Sequence, residues 1–312
     1  MRFADLDTTL RLLDFPGLVA ALRETYRRGV DTYDRRLLVE PLPNGEQNDW
    51  LLQPAWQYGR NFGIKLVSIF PGNEAKGVNT ILGAYVLFDG ATGLPQLVID
   101  GVGITLRKTA ANSALATDFL ARKDAKTLLM IGAGALAPHL IEAHSAVRKF
   151  ERVLIWNRTP AKAEAIARKI DRPGYRAAAM TDLEAAVGKA DVISAATFAT
   201  EPLIKGAWLK PGTHVDLVGG YRPDLRESDD EAVKRARVFV DWRPSTIEIC
   251  GDICQPIAAG LTSDAAITDT FQLACGERPA RQNAEEITLF KSGGGGHEDL
   301  GTAQYLMSRL DA

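Results

Sequence analysis

A glycine-rich turn offers the clearest chemistry in the chain. The stretch TLLMIGAGALAPHLIEAH places an apolar run directly before Gly132-Ala133-Gly134 and a helix-forming run directly after it. A residue without a Cβ suits the tight turn, and the second glycine lets the backbone approach a pyrophosphate held at the helix N-terminus. A structural glycine turn without a ligand is the alternative. We predict a dinucleotide site formed by Gly132, Ala133, Gly134, Ala135 and Leu136.

The end of the next strand distinguishes between the two nicotinamide dinucleotides. NAD sites commonly have an Asp or Glu there, which binds the ribose hydroxyls and would repel a 2′-phosphate. This chain has Asn157-Arg158-Thr159, whose guanidinium suits a phosphate and whose flanking residues add neutral donors. The same residues also fit a turn with Thr159 as helix N-cap. We predict NADPH in preference to NADH. Three residues after later strands are predicted to face the same cofactor: Thr197, Val218 and Gly219.

The pattern of predicted helices and strands that must position these residues indicates an α/β protein. Residues 16–28 fit an amphipathic helix, and strand-like segments without intervening helices follow between 37 and 101. Consecutive strands favour an antiparallel or mixed sheet. The Ala- and Leu-rich stretch 105–122 predicts a long helix, and from residue 125 onward strands and helices alternate. We therefore predict a Rossmann doubly wound parallel sheet beside a second, α+β domain.

Composition excludes several functional classes. The 312 residues suffice for two domains, and 37 Lys plus Arg against 39 Asp plus Glu give a net charge of −2, which does not predict nucleic-acid binding. Three cysteines are too few for a disulfide framework, and the CGDIC segment lacks the spacing of a zinc site. No apolar run approaches the roughly 20 residues of a membrane helix. We expect a cytoplasmic protein without a metal, nucleic-acid or membrane partner.

Six ordered segments resemble the ornithine cyclodeaminase/mu-crystallin family across nearly the whole chain. They are GIKLVSIFPGN (63–73), LRKTAANSALAT (106–117), IGAGALAPHL (131–140), WNRTPAKAEA (156–165), DLVGGYRPDLRESDDE (216–231) and ITLFKSGGGGHEDL (287–300). The resemblance implies a homodimer whose contacts come from a discontinuous substrate-binding and dimerisation domain, residues 1–115 plus 288–312. The Rossmann NADP-binding domain, residues 116–287, is then inserted between its two parts.

The resemblance also implies which side chains hold a substrate. Lys65, in the family's K-x-V-x-x-F-P-G-N segment, would be the catalytic residue beside the substrate. Lys108 stands where the family usually has an arginine that binds the substrate carboxylate, and Arg107 precedes it as an alternative guanidinium. Arg36 is the nearest candidate for a further arginine. From the residues alone, Lys65 has mostly apolar neighbours, so its ammonium needs an anionic partner that a substrate carboxylate could provide.

The chain departs from the cyclodeaminases at Tyr221. Those enzymes, and the family's alanine dehydrogenase-like members, have an aspartate there that handles the substrate amine. A phenol with an ordinary pKa of about 10 cannot replace that carboxylate. The segment therefore resembles the mu-crystallin and imine-reductase branch more closely. Imine reduction depends mainly on orientation and charge complementarity, so we expect Lys65 and Lys108 to suffice without an acidic group.

The sequence thus predicts an NADPH-dependent oxidoreductase that reduces a small cyclic ketimine carboxylate, such as Δ1-pyrroline-2-carboxylate to L-proline. Tyr221 and His297, which follows four glycines, are predicted to contribute to the substrate site. Two alternatives stay open. One is an ornithine cyclodeaminase or amino-acid dehydrogenase, and the other is a non-catalytic NADPH-dependent carrier of a small ligand.

Overall fold

The protein divides into two compact units. The computed structural model describes residues 1–32, 36–43, 45, 47–171 and 174–311. The first unit is Met1–Lys108 with Gly295–Ala312, and the second is Thr109–Gly294. The domain boundaries placed by sequence, after residues 115 and 287, both fall inside the second unit. The substrate and cofactor roles given to the two domains remain predictions.

Residues 1–100 supply all seven strands that the structure describes in the first unit. The elements are β1 (Arg2–Ala4), α1 (Leu6–Leu12), α2 (Phe15–Arg28), β2 (Asp31–Thr32), β3 (Arg36–Pro41), β4 (Gln47–Gln57), β5 (Asn61–Ile69), β6 (Ile81–Asp89) and β7 (Pro95–Asp100). The helix α3 (Gly101–Leu120) follows and continues into the second unit. A 3₁₀ segment, Pro71–Lys76, follows β5. The side chains of Asp5 and Asp14 accept backbone N–H groups at the starts of α1 and α2, which is why these two helices begin where they do.

Strands and helices alternate through the second unit. Its elements are β8 (Thr127–Ile131), α4 (Ala137–Val147), β9 (Arg152–Trp156), α5 (Pro160–Ile170), β10 (Arg176–Met180), α6 (Leu183–Lys189), β11 (Val192–Ala195), β12 (His214–Leu217), α7 (Asp230–Arg235), β13 (Ala236–Val240), α8 (Arg243–Thr246), α9 (Gly251–Ala258), β14 (Thr268–Asp269), α10 (Thr270–Cys275) and β15 (Ile287–Lys291). The last helix, α11 (Gly296–Leu310), returns to the first unit. No helix in the described ranges is long and apolar enough to cross a membrane.

The sheet of the first unit is mixed, as the strand pattern predicted. Its order is β1-β7-β6-β5-β4-β2, with β3 also paired to β4. β1 runs parallel to β7, whereas the other pairs are antiparallel. In this register Lys65 on β5 lies between Gln53 on β4 and Tyr85 on β6. α11 packs against α2 and against β4 and β5, so its first turn can approach that row of side chains.

The sheet of the second unit confirms the predicted doubly wound fold. Eight strands lie in the order β10-β9-β8-β11-β12-β15-β13-β14, and all pairs are parallel. The central strands are buried throughout, because helices connect parallel strands and cover the sheet. The chain reverses direction across the sheet between β8 and β11. In open α/β sheets this switch point, at the carboxyl ends of the strands, is where ligands bind.

Candidate active site

The glycine turn lies at the carboxyl end of β8, beside the switch point. Gly132 has a φ of +104°, and a Cβ there would stand 2.6 Å from the carbonyl oxygen of Ala196, so the fold itself requires glycine. Gly134 differs, because an added Cβ would meet no protein atom within 4 Å. The backbone N–H of Ala133 donates to Asn157 Oδ1 at 3.2 Å and joins the turn to the end of β9. The second glycine is thus explained by a ligand better than by packing.

Gly134→Ala should fold normally yet bind NADPH about tenfold more weakly, because the new methyl group meets the pyrophosphate and no protein atom. Fluorescence titration with NADPH measures the affinity, and thermal unfolding measures the stability. Gly132→Ala is the matched control, since its positive φ predicts a loss of stability. Wild-type affinity in Gly134→Ala would instead indicate a structural turn without a ligand.

The remaining predicted cofactor residues follow neighbouring strands of the second unit. Arg158 is exposed just beyond β9, where Asn157 Nδ2 donates to the carbonyl oxygen of Thr159 at 3.0 Å. The backbone N–H of Val218 donates to the carbonyl oxygen of Ala195. Thr197 and Gly219, after β11 and β12, are so close that a Cβ at Gly219 would stand 1.9 Å from the carbonyl oxygen of Thr197. These residues share the carboxyl edge of the sheet with the glycine turn.

Two lysines of the first unit form a buried charged cluster with the start of α11. Lys65 Nζ lies 2.8 Å from Asp299 Oδ2, at ion-pair distance though without hydrogen-bond alignment. Lys108 Nζ lies 2.8 Å from Glu298 Oε2 and 4.0 Å from Asp299 Oδ1. The lysine side chains are 8% and 6% exposed, and the carboxylates are fully buried. Both acids occupy the first turn of α11, whose positive end stabilises them.

These contacts correct one expectation. We expected Lys65 and Lys108 to act without an acidic group and the partner of Lys65 to be a substrate carboxylate. The absence of an acidic group is wrong, because Asp299 and Glu298 lie beside the two lysines. The binding of a substrate carboxylate by the lysines stays a prediction. With two ammonium groups and two carboxylates the cluster is formally neutral, which lowers the cost of burying it.

The cluster also perturbs the titration of its members. Burial lowers the pKa of Lys65, and the neighbouring Lys108 ammonium acts in the same direction, whereas the Asp299 carboxylate raises it. Burial and then the charge of Asp299 raise the pKa of Tyr85 well above its usual value, so its phenol stays protonated. Tyr85 Oη is buried without a hydrogen-bond partner in the described part of the chain. A Cβ at Gly63 would stand 1.9 Å from that oxygen, so glycine makes room for the phenol.

His297 supports this cluster from α11. The residue is fully buried, and its Nε2 lies 3.0 Å from Tyr26 Oη. Tyr26 Oη in turn donates to Glu298 Oε1 at 3.3 Å. The structure therefore connects His297 to Lys108 through Tyr26 and Glu298, and its role in substrate binding stays a prediction.

Two other predicted substrate residues of the first unit, Arg107 and Arg36, are not brought to the lysines. Arg107 Nη2 donates to the carbonyl oxygen of Leu10 at 2.7 Å, and its guanidinium lies 4.5 Å from the ring centre of Phe15. Arg36 is exposed on β3. Tyr221 belongs to the second unit, where it is 42% exposed and packs edge-on against Phe198. The geometry of the lysine cluster gives no support to the predicted roles of Arg107 and Arg36, and the role of Tyr221 stays a prediction.

Sequence analysis missed the acids Glu298 and Asp299 and the phenols of Tyr26 and Tyr85. A signal for the acids was present, since a lysine on an apolar strand needs an anion and the final helix begins with two of them. The phenols carried no comparable signal, because aromatic residues in strands and helices are ordinary core residues.

Known proteins are similar to this chain in both sequence and fold. The chain belongs to the ornithine cyclodeaminase/mu-crystallin family, whose model matches residues 16–312, and the predicted family is confirmed. The Δ1-pyrroline-2-carboxylate reductase of Paracoccus denitrificans is 41% identical over 276 residues, which is 85% of this chain and 87% of that protein.

Two solved structures are similar over nearly the full chain. The Thermococcus litoralis Δ1-pyrroline-2-carboxylate reductase, in complex with NADH and L-proline, has a TM-score of 0.90 and 29% identity and covers 99% of this chain and 97% of that chain. The iminosuccinate reductase of Paracoccus denitrificans, in complex with NAD+, has a TM-score of 0.86 and 26% identity, with 99% and 96% covered.

Proposed function

We propose that the protein is a nicotinamide-dependent oxidoreductase that reduces the C=N bond of a small cyclic ketimine carboxylate. The proposed substrate is Δ1-pyrroline-2-carboxylate and the product is L-proline. Relatives named for this reaction support the proposal, both in sequence and in fold. The observation that carries it is the buried cluster in which Lys65 and Lys108 alternate with two carboxylates.

The alternating charges of the cluster match the charges of the substrate. A protonated ketimine carboxylate is itself dipolar, with an iminium next to a carboxylate. An ammonium has three donors, so the pair with Asp299 leaves Lys65 donors for a substrate carboxylate. Asp299 offers the opposite charge for the iminium nitrogen. A buried and formally neutral cluster thus favours a small dipolar ligand over one of large net charge.

The residues of the chain have distinct tasks in this reaction. The dinucleotide, when bound, supplies a hydride to the imine carbon, and the electron pair of the C=N bond moves to the nitrogen, which already carries a proton. Lys65 and Lys108 orient the carboxylate and so fix the position of that carbon. Tyr85 keeps its proton and can donate a hydrogen bond to the ligand. One further proton from solvent converts the product amine to its ammonium form.

The proposal is tested with purified protein, NADPH and Δ1-pyrroline-2-carboxylate. We expect loss of the reduced-nicotinamide absorbance together with formation of L-proline. L-Ornithine and L-alanine with oxidised cofactor serve as controls, and neither should release ammonia or reduce the cofactor, since Tyr221 replaces the aspartate that handles an amine. Absence of turnover with both five- and six-membered cyclic imines would contradict the proposal. Tight NADPH binding without any turnover would favour a carrier.

The proposed cofactor is NADPH, and Arg158 is the residue proposed to select it. Arg158→Ala should weaken NADPH use about tenfold in kcat/KM, because the 2′-phosphate loses a charge-assisted contact, whereas NADH use should stay unchanged. Arg168→Ala on α5 is the matched control, since that arginine is also exposed and pairs with Glu164 on its own helix. Equal losses with both cofactors in Arg158→Ala would contradict the assignment.

We also propose that the protein is a homodimer formed through its first unit, as the family resemblance implies. Large apolar side chains are exposed along β3, β4 and β6, and such patches on a sheet usually mark an interface. They include Leu37, Leu38, Val39, Trp50, Ile81 and Leu82. Light scattering measures the mass in solution, and a monomer at micromolar concentration would contradict the proposal.

A further inference from the structure

A buried carboxylate joins the two loops that carry predicted cofactor contacts. Glu227 Oε1 accepts the backbone N–H and the hydroxyl of Thr197, at 2.7 and 2.8 Å, and its Oε2 accepts the backbone N–H of Gly219 at 2.7 Å. The two loops follow β11 and β12, adjacent parallel strands beside the switch point. Glu227 is fully buried. One side chain therefore fixes the spacing between two loops at the edge where the dinucleotide is proposed to bind.

Charged groups from two other elements face Glu227. Asp252 on α9 accepts the backbone N–H groups of Glu227 and Ser228 through Oδ1, at 2.8 and 3.1 Å. Lys291, the last residue of β15, is fully buried with its Nζ 3.6 Å from Asp252 Oδ2. Asp241 and Cys250 both raise the pKa of Lys291. Burial raises the pKa of Glu227 to about 7, with Lys291 lowering it and Asp252 adding to the rise.

We propose that Glu227 is a positioning residue whose ionised carboxylate holds the Thr197 and Gly219 loops in the arrangement that binds the dinucleotide. This inference rests on the proposed cofactor role of the second unit. A carboxylate only accepts hydrogen bonds, and both of its oxygens already face backbone N–H groups. A proton on either oxygen would weaken the hydrogen bond that this oxygen accepts from the N–H group of Thr197 or of Gly219. Protonation therefore loosens one loop, and the cofactor should bind to the ionised form.

The expected pH dependence follows from the ionised fraction. An apparent Kd equals the intrinsic Kd divided by the competent fraction, so the Kd should rise about tenfold between pH 8 and pH 6 when Glu227 titrates near 7. NADH is the suitable probe. The 2′-phosphate of NADPH titrates with a pKa of about 6 and would add a pH dependence of its own.

The test is a fluorescence titration of the full chain with NADH between pH 6 and pH 8. Glu227→Gln should bind weakly at every pH, because its amide is neutral and opposes one N–H group. Asp252→Asn keeps an oxygen for the two N–H groups but removes a charge, so the midpoint of the profile should move to lower pH. Asp191→Asn, a buried acid that precedes β11 at the opposite edge of the sheet, should keep the wild-type profile. Circular dichroism verifies folding of each variant.

The outcomes separate this inference from the proposed function. A wild-type Kd that does not change with pH, or a Glu227→Gln protein that keeps the wild-type profile, would overturn the positioning role. An unmoved midpoint in folded Asp252→Asn would also count against it. Failure of the wild-type protein to bind either NADH or NADPH at any pH would instead refute the proposed cofactor site and leave the reaction itself without support.

Discussion

Lys65→Met is expected to lower kcat/KM for the cyclic imine about thirty- to four-thousandfold while the Kd for NADPH stays unchanged. Truncating one partner of a buried, hydrogen-bonded charge pair costs about 2–5 kcal/mol, and each factor of ten in rate corresponds to about 1.4 kcal/mol. Lys65 is the ammonium proposed to hold the substrate carboxylate, and the proposed cofactor residues all lie in the second unit. Steady-state kinetics and NADPH titration measure the two quantities separately.

Lys65→Met also destabilises the protein, and this effect must be separated from the effect on catalysis. Without Lys65, Asp299 keeps only the Lys108 ammonium at 4.0 Å, and a buried carboxylate that loses its partner costs about 3–5 kcal/mol of stability. The double variant Lys65→Met/Asp299→Asn removes both charges and should recover most of that stability. Its kcat/KM should remain at least as low as that of the single variant. A double variant as active as the wild type would show that Lys65 merely neutralises Asp299.

The elements of the Rossmann sheet were predictable because their signals are local. The alternation of strands and helices from residue 125 onward was predictable, since strands such as β8 and β9 are short apolar runs that end at a glycine or a polar residue. No element was predicted between β12 and β15, where the helices α7 to α10 span only four to eight residues each. Such short helices carry too few turns to show a period, and tertiary packing decides them.

The candidate site likewise has one part that local sequence predicts and one part that depends on contacts between distant residues. The glycine turn and Arg158 are found by local motif, because a dinucleotide is bound by consecutive residues at strand ends. The lysine cluster depends on partners 190 or more residues apart in sequence. No short sequence segment of the kind used to find a motif contains both Lys108 and Glu298. The need of Lys65 for an anion was foreseeable, whereas the identity of that anion depended on the packing of α11 against β5.

Asp299→Asn is expected to move the alkaline limb of the kcat/KM profile to lower pH. Burial and Lys108 lower the pKa of Lys65, and the Asp299 carboxylate is the largest influence that raises it. Removing that negative charge therefore lowers the pKa further, so the ammonium required for substrate binding is lost at lower pH. Since an opposite charge favours the protonated ammonium, its removal should move the limb to lower pH and lower the activity measured above it.

Glu298→Gln provides the matched control because it neutralises the adjacent residue in the same turn of α11. Glu298 pairs with Lys108 at 2.8 Å and raises the pKa of Lys65 less than Asp299 does. Its loss should raise the KM for the imine while the alkaline limb moves less than in Asp299→Asn. If the alkaline limb moved equally in both variants, it would report the titration of the whole cluster and not that of Lys65 alone. An unmoved limb in a folded, NADPH-binding Asp299→Asn protein would mean that Lys65 is not the group whose proton the reaction needs.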